Sequence, residues 1–207
     1  MFWCFYIFND FMAIRLNQEF YNQPTLKVAK ELLGKFLVKR INGKILVGKI
    51  VETEAYIGPK DLASHASRGK TKRTEIMFGE PGFWYIYLIY GMYYCLNIVT
   101  EHKNYPAAVL IRAVKLISSA EGAVTSLHLR DSKIKTDGPG KLCRAFKIDK
   151  NLNGAPAFGK NSKLWMEDRG EKIKPSQIKK TPRVGVDYAG EYKDKLWRFK
   201  VSDKVIE

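Results

Sequence analysis

Apolar positions along the chain change period several times, and each change marks an element. Leu26, Ala29 and Leu33 recur at helical spacing beside Leu32, so a helix is predicted over residues 25–33. Thr25 can cap its start and Gly34 can supply a left-handed stop. Residues 36–41 and 44–56 then read as apolar, β-branched strands joined by Asn42-Gly43, the dipeptide best suited to a two-residue hairpin turn. Period-two alternation in the second strand puts Glu52, Glu54 and Tyr56 on one face, with Val51 and Thr53 on the other.

Residues 57–82 are rich in Gly, Pro, Lys and Arg and are predicted to form a long loop, a length that usually signals function. A second hairpin follows, 83–90 with 93–100 around Gly91-Met92. It places Tyr85 and Tyr87 on one face, Trp84, Ile86 and Leu88 on the other, and Tyr90 at the turn. Residues 107–114 form another apolar strand, interrupted only by Arg112, and a helix is predicted over 142–146 after Asp137-Gly138-Pro139-Gly140-Lys141. Short strands at 164–166 and 196–201 close the pattern. The expected fold is α+β: one mixed domain over residues 16–207, with a curved, mainly antiparallel sheet, flanking helices and a protruding hairpin. Residues 1–15 are read as an N-terminal extension, either poorly structured or the product of a misassigned start. The apolar run Met1–Phe8 has neither a positive n-region nor a small-residue cleavage site, so it is not read as an export signal.

Composition narrows the partner. With 36 Lys and Arg against 21 Asp and Glu, the net charge of +15 points to a polyanion, nucleic acid before membrane. The uncharged stretch 81–100 approaches the length of a membrane span, but Gly82, Gly91 and Asn97 interrupt it, which favours paired strands. Cys4, Cys95 and Cys143 lie far apart, with no Cys-x-x-Cys pair, so neither a disulfide framework nor a zinc finger is encoded, and a reducing cytoplasm fits. His65, His102 and His128 lack metal-ligand spacing, and no metal or cofactor is expected.

A carboxylate near a strand end among aromatic residues can be tuned by burial into a general base acting on water, and Glu52 and Glu54 both qualify. Tyr56, His65, Tyr85 and Tyr87 supply flat rings with polar tips, suited to sandwiching a nucleobase that has left the stack. Tyr90 at a hairpin tip can wedge between bases, although a tyrosine packed under the turn fits the pattern equally well. Gly138-Pro139-Gly140-Lys141 can offer amides and a lysine to a phosphate, but Lys135 and Leu142 stand where a Walker A loop needs Gly and Ser or Thr.

These residues fall in ordered blocks: Leu32-Leu33-Gly34, Val51-Glu52-Thr53-Glu54-Ala55-Tyr56, His65-Ala66-Ser67-Arg68-Gly69, Met77-Phe78, Tyr87-Leu88-Ile89-Tyr90-Gly91-Met92, Gly138-Pro139-Gly140-Lys141-Leu142-Cys143 and Pro182-Arg183-Val184-Gly185. Over roughly residues 16 to 201 the chain resembles the alkyladenine DNA glycosylase (3-methyladenine DNA glycosylase) family of base excision repair. The resemblance implies a monofunctional DNA glycosylase, active as a monomer on double-stranded DNA containing alkylated bases, that releases 3-methyladenine, 7-methylguanine and, as an open case, hypoxanthine. It implies Glu54 as general base, Arg112 near the scissile nucleotide, and Tyr56, His65, Tyr87 and Asn97 as the base pocket. Tyr90 becomes the intercalating residue, and Arg68, Arg73, Gly140 and Lys141 the contacts to the DNA backbone. The chain departs from the family pattern at Thr74, where Asn is common, and at Lys115-Leu116, which replace an acidic residue and a proline. Two other readings of the residues are a non-catalytic nucleic-acid-binding module and, more weakly, a carbohydrate hydrolase using Glu52 with Glu54; two carboxylates two apart on one strand would flank a scissile bond poorly.

Overall fold

The computed structural model describes residues 13–117 and 134–202; most of the expected N-terminal extension, residues 1–12, lies outside them. In chain order the elements are β1 (Ile14–Arg15), α1 (Gln18–Tyr21), α2 (Thr25–Glu31), β2 (Phe36–Ile41), β3 (Lys44–Ile57), β4 (Trp84–Ile89), β5 (Tyr93–Val99), β6 (Ala107–Leu116), α3 (Pro139–Ala145), β7 (Leu164–Asp168), β8 (Ile178–Thr181) and β9 (Arg198–Val201). The strands form one sheet in which every pairing is antiparallel, in the order β1-β7-β2-β3-β6-β5-β4, with β9 and β8 branching from β3. The fold is therefore the expected mixed α+β arrangement.

Asn42 and Gly43 have φ of 49° and 76°, the doubly left-handed turn whose twist matches a tight hairpin, and Ile41 pairs with Lys44 across it. β3 is the spine. Its first half pairs with β2, residues Glu52–Glu54 pair with β9, and its other edge pairs with β6 from Gly48 to Ile57. The β3–β6 register slips between Ile50 and Glu52 and again between Glu52 and Thr53. These bulges let both Ile50 and Val51 enter the core while Glu52 keeps the face of Glu54 and Tyr56. On the core face, Thr53 Oγ1 donates to the Ala29 carbonyl at 2.7 Å, fixing α2 against β3. Trp84 is fully buried and ties its indole N–H to the Leu164 carbonyl at 3.1 Å, joining β4 to β7.

Several boundaries move for identifiable reasons. Thr25 is the first residue of α2 rather than its cap: its N–H and hydroxyl both donate to the Glu101 carboxylate, at 2.7 and 2.9 Å, so the orphan amide is satisfied from a distant loop. α3 starts at Pro139, three residues earlier than its apolar pattern suggests, because proline is pre-organised for the first helical turn. Ile14 and Arg15, assigned from sequence to the extension, pair with Asp168 and Glu167 and belong to the sheet. The long 57–82 loop contains two 3₁₀ turns, His65–Arg68 and Glu75–Phe78. β8 carries Ile178-Lys179-Lys180-Thr181, whose polarity gives no strand signal; its pairing with β9 is settled by the tertiary fold.

Candidate active site

One face of the β3–β6–β5–β4 region sets charges and rings among its aliphatic residues. Glu54 is 0% exposed and accepts three hydrogen bonds or ion pairs. Oε2 takes the Tyr56 hydroxyl at 2.8 Å; Oε1 takes the Val184 N–H at 2.9 Å and faces Arg112 Nη1 at 3.2 Å. Arg112 turns its Nε to Glu52 Oε1 at 2.8 Å, and the same oxygen accepts Arg198 Nε from β9 at 2.6 Å. Burial acts to lower the Arg112 pKa, but Glu54 and Glu52 outweigh it and hold the guanidinium above its ordinary value, permanently charged. Glu52 is thus the clamp on Arg112, and Arg112 is the charge that lets two carboxylates share a buried strand.

Beside this network lies a cavity of about 120 Å³. Tyr56, His65, Tyr85, Tyr87, Asn97 and Arg112 line it, together with Cys95, Leu110, Pro139 and the segment Val184, Gly185, Val186 and Tyr188. Glu54 sits one layer behind the wall, bound to three residues that form it: Tyr56, Arg112 and Val184. The His65 ring meets Tyr87 edge-on at 4.5 Å and its Nδ1 bonds the Tyr85 hydroxyl at 2.9 Å, while Tyr85 and Tyr87 are 5.3 Å apart and tilted by 39°. Asn97 is buried, its Nδ2 directed at the Tyr85 and Cys95 carbonyls at 3.1 and 3.4 Å, so its orientation is fixed by backbone.

Burial raises the pKa of Tyr56 well above its usual value, helped by Glu54, and raises Tyr87 likewise; Tyr85 is pushed up to about 12 by burial. All three phenols therefore remain neutral near pH 7. His65 is driven the other way, down to about 4, by burial first and then by Arg73 and Arg68. The pocket is thus walled by uncharged rings. Because the folded value of His65 lies below its unfolded value, the folded state loses stability as pH falls from about 6.5 toward 4, and no further loss from this residue occurs below that. The thermal midpoint of the wild type, measured relative to His65→Gln, is expected to drop through that window; a pH-independent difference would show that His65 is not held neutral.

The remaining sequence-predicted residues do not line the cavity. Tyr90 stands at the β4–β5 tip with φ of 53° and is 80% exposed, so it is not packed under the turn. Arg73 lies over the Tyr87 ring at 5.1 Å and Arg68 is exposed on the adjacent 3₁₀ turn. Gly140 packs against Tyr93, where a Cβ would come within 3.0 Å of the ring, and exposed Lys141 is paired with Asp137 at 2.9 Å. Val184 to Tyr188 had no role assigned from sequence, because a backbone N–H on a distant loop leaves no side-chain signature. Tyr85 was placed among the candidate rings but not in the expected base pocket, whose wall it shares.

The family model described as methylpurine-DNA glycosylase (MPG) matches residues 19–205. The chain belongs to the methylpurine-DNA glycosylase family. Proteins carrying the name "Putative 3-methyladenine DNA glycosylase" are similar along nearly their whole length. That of Clostridium perfringens (strain SM101 / Type A) is 46% identical over 200 residues, covering 92% of this chain and 97% of its own. That of Methanocella arvoryzae is 50% identical over 186 residues, covering 89% and 90%. That of Desulfitobacterium hafniense is 48% identical over 198 residues, covering 91% and 96%. Membership agrees with the resemblance read from the sequence blocks. Of the two departures from the family pattern, Thr74 has a structural account. It is buried and its hydroxyl accepts the Thr71 N–H at 2.8 Å and donates to the Gly69 carbonyl at 3.0 Å, so it staples the loop that carries Arg73. Among the described residues, no helix is long and apolar enough to cross a membrane.

Proposed function

We propose that the protein hydrolyses the N-glycosidic bond of alkylated purines extruded from duplex DNA, releasing the free base and leaving an abasic site in an uncut strand. The observation that carries this reading is a buried, triply bonded carboxylate set directly behind a small cavity walled by neutral aromatic rings. A carboxylate offers four acceptor positions, and three are occupied here, which leaves one on Oε2 to take a proton from water. Water oxygen attacks C1′ as the bond to the base breaks, its proton passes to Glu54, and the bonding electrons leave with the purine. Alkylation at N3 or N7 gives the purine a positive charge, so it departs without strong acid assistance and attracts the faces of Tyr56 and Tyr87. This suits a pocket in which His65 and the phenols are neutral. Asn97, immobilised by two carbonyls, opposes the 2-amino group of normal guanine.

Tyr90 fills the gap left in the stack, and Arg68, Arg73, Gly140 and Lys141 meet the phosphates around it; the +15 charge supplies the general attraction to DNA. Substrates are 3-methyladenine and 7-methylguanine, with hypoxanthine the natural next base to assay, and the protein acts as a monomer.

The deciding experiment is chromatography of bases released from methylated duplex DNA by the purified protein. Release of methylpurines is expected; tight binding with no release would make the chain a nucleic-acid-binding module instead. The described cavity wall contains no lysine, so no Schiff base forms and borohydride should trap no protein–DNA adduct. Tyr90→Ser should slow excision about 10-fold while leaving the thermal midpoint unchanged, since losing base–aromatic stacking costs about 1–3 kcal/mol and the side chain makes no core contact. Unaltered excision would remove Tyr90 from the DNA interface.

A further inference from the structure

Glu54 owes one of its three partners to the loop after β8, and that loop is held by a pair of charges that does not touch the cavity. Asp61 and Arg183 are both 0% exposed in their side chains. Arg183 Nη1 donates to Asp61 Oδ2 at 2.6 Å and to the Ala55 carbonyl at 2.9 Å; Nη2 donates to Asp61 Oδ1 at 2.8 Å and to the Tyr192 carbonyl at 3.2 Å. Its guanidinium lies between Tyr56, at 4.8 Å, and Trp197, at 5.1 Å. Asp61 accepts the backbone N–H groups of Ile57 and Ala63, both at 3.1 Å. One ion pair thereby joins the end of β3, the turn leading to His65 and the loop leading to Val184.

Val184 is itself 48% exposed, so its own side chain does little to hold it. Its N–H nevertheless meets Glu54 Oε1 at 2.9 Å, immediately after the immobilised Arg183. Arg183 also grips the carbonyl of Ala55, the residue next to Glu54. We infer that the buried Asp61–Arg183 pair is a positioning device for the reaction: it presents the Val184 N–H to Glu54 and sets the Tyr56 ring between the carboxylate and the base. A buried ion pair is a poor source of stability compared with apolar residues of the same volume, whereas its directional bonds fix geometry. Displacement of a reacting group by about 1 Å can cost ~100-fold in rate, so a pair remote from the substrate can control the chemical step.

The inference rests on the proposed glycosylase reaction, and the experiment keeps the two separable. Wild type, Arg183→Lys and Asp61→Asn full-length proteins are compared for affinity toward a methylated duplex, for single-turnover base release and for thermal midpoint. Lysine keeps the charge but cannot form the fork; asparagine keeps the shape but not the charge. Folded variants should bind DNA within about threefold of wild type and release base roughly 30- to 100-fold more slowly, a loss confined to the chemical step. Wild-type rates in either folded variant would overturn the inference. So would a parallel fall in affinity and rate that tracks the thermal midpoint, or failure of both variants to fold, since each outcome makes the pair structural only. If the wild type itself releases no methylpurine, the proposed function fails and the inference falls with it, whereas release by the wild type with unchanged variants overturns the inference alone.

Discussion

Glu54→Gln is expected to lower base release by about 10³-fold or more while leaving binding to methylated duplex nearly unchanged, and single-turnover kinetics beside a binding isotherm will measure the split. Glutamine preserves the shape of a side chain that is fully buried and fitted among Tyr56, Arg112 and Val184. It cannot accept a proton from water. It also sets an amide N–H where one carboxylate oxygen accepted from donors, so the network loses one of its two acceptor oxygens as well as its charge. The residues proposed to face DNA, the exposed Tyr90, Arg68 and Arg73, are untouched by the change. Turnover close to wild type would take Glu54 out of the mechanism and return Glu52 as the candidate base.

The second large effect belongs to Arg112→Met, which should cost about 3–5 kcal/mol of stability and abolish measurable release. Arg112 lies between Glu52 and Glu54 at 2.8 and 3.2 Å, and its removal strands the fully buried Glu54 without a cation. Arg198 can still serve Glu52, so the stranded charge is mainly Glu54. Adding Glu54→Gln to Arg112→Met should therefore recover most of the lost stability without recovering activity, a non-additivity that chemical denaturation of the four proteins in the cycle will read. Additive losses would mean that Arg112 stabilises the fold through its packing and not through these carboxylates.

Much of the architecture was legible because its signals are local. The Asn42-Gly43 hairpin, the alternation of Glu52, Glu54 and Tyr56 against Thr53, and the two-faced hairpin with Trp84 inside and Tyr85 and Tyr87 toward the cavity all follow from backbone geometry and period. The bulges at Ile50 to Thr53 were not legible, since alternation alone would send Ile50 to the face of Glu52. Nor was the cap of α2, because Glu101 lies 76 residues away from Thr25.

The site divides in the same way. Residue types on strand faces suffice to nominate Glu52, Glu54, Tyr56, Tyr85 and Tyr87, because a strand fixes which side each residue points to, whereas Asn97 and Arg112 entered only through the family resemblance. Choosing between Glu52 and Glu54 is different. Both share one face, and beyond the family resemblance it is the approach of β9 and the 183–184 loop that separates them, giving Glu52 to the two arginines and Glu54 to Tyr56 and the Val184 amide. The sequence by itself determined the sheet, the face and the chemistry available on it, through short-range periodicity and charge. Tertiary structure alone decided which carboxylate stands behind the cavity and what holds it there, because hydrogen bonds between segments more than a hundred residues apart leave no periodic trace in the chain.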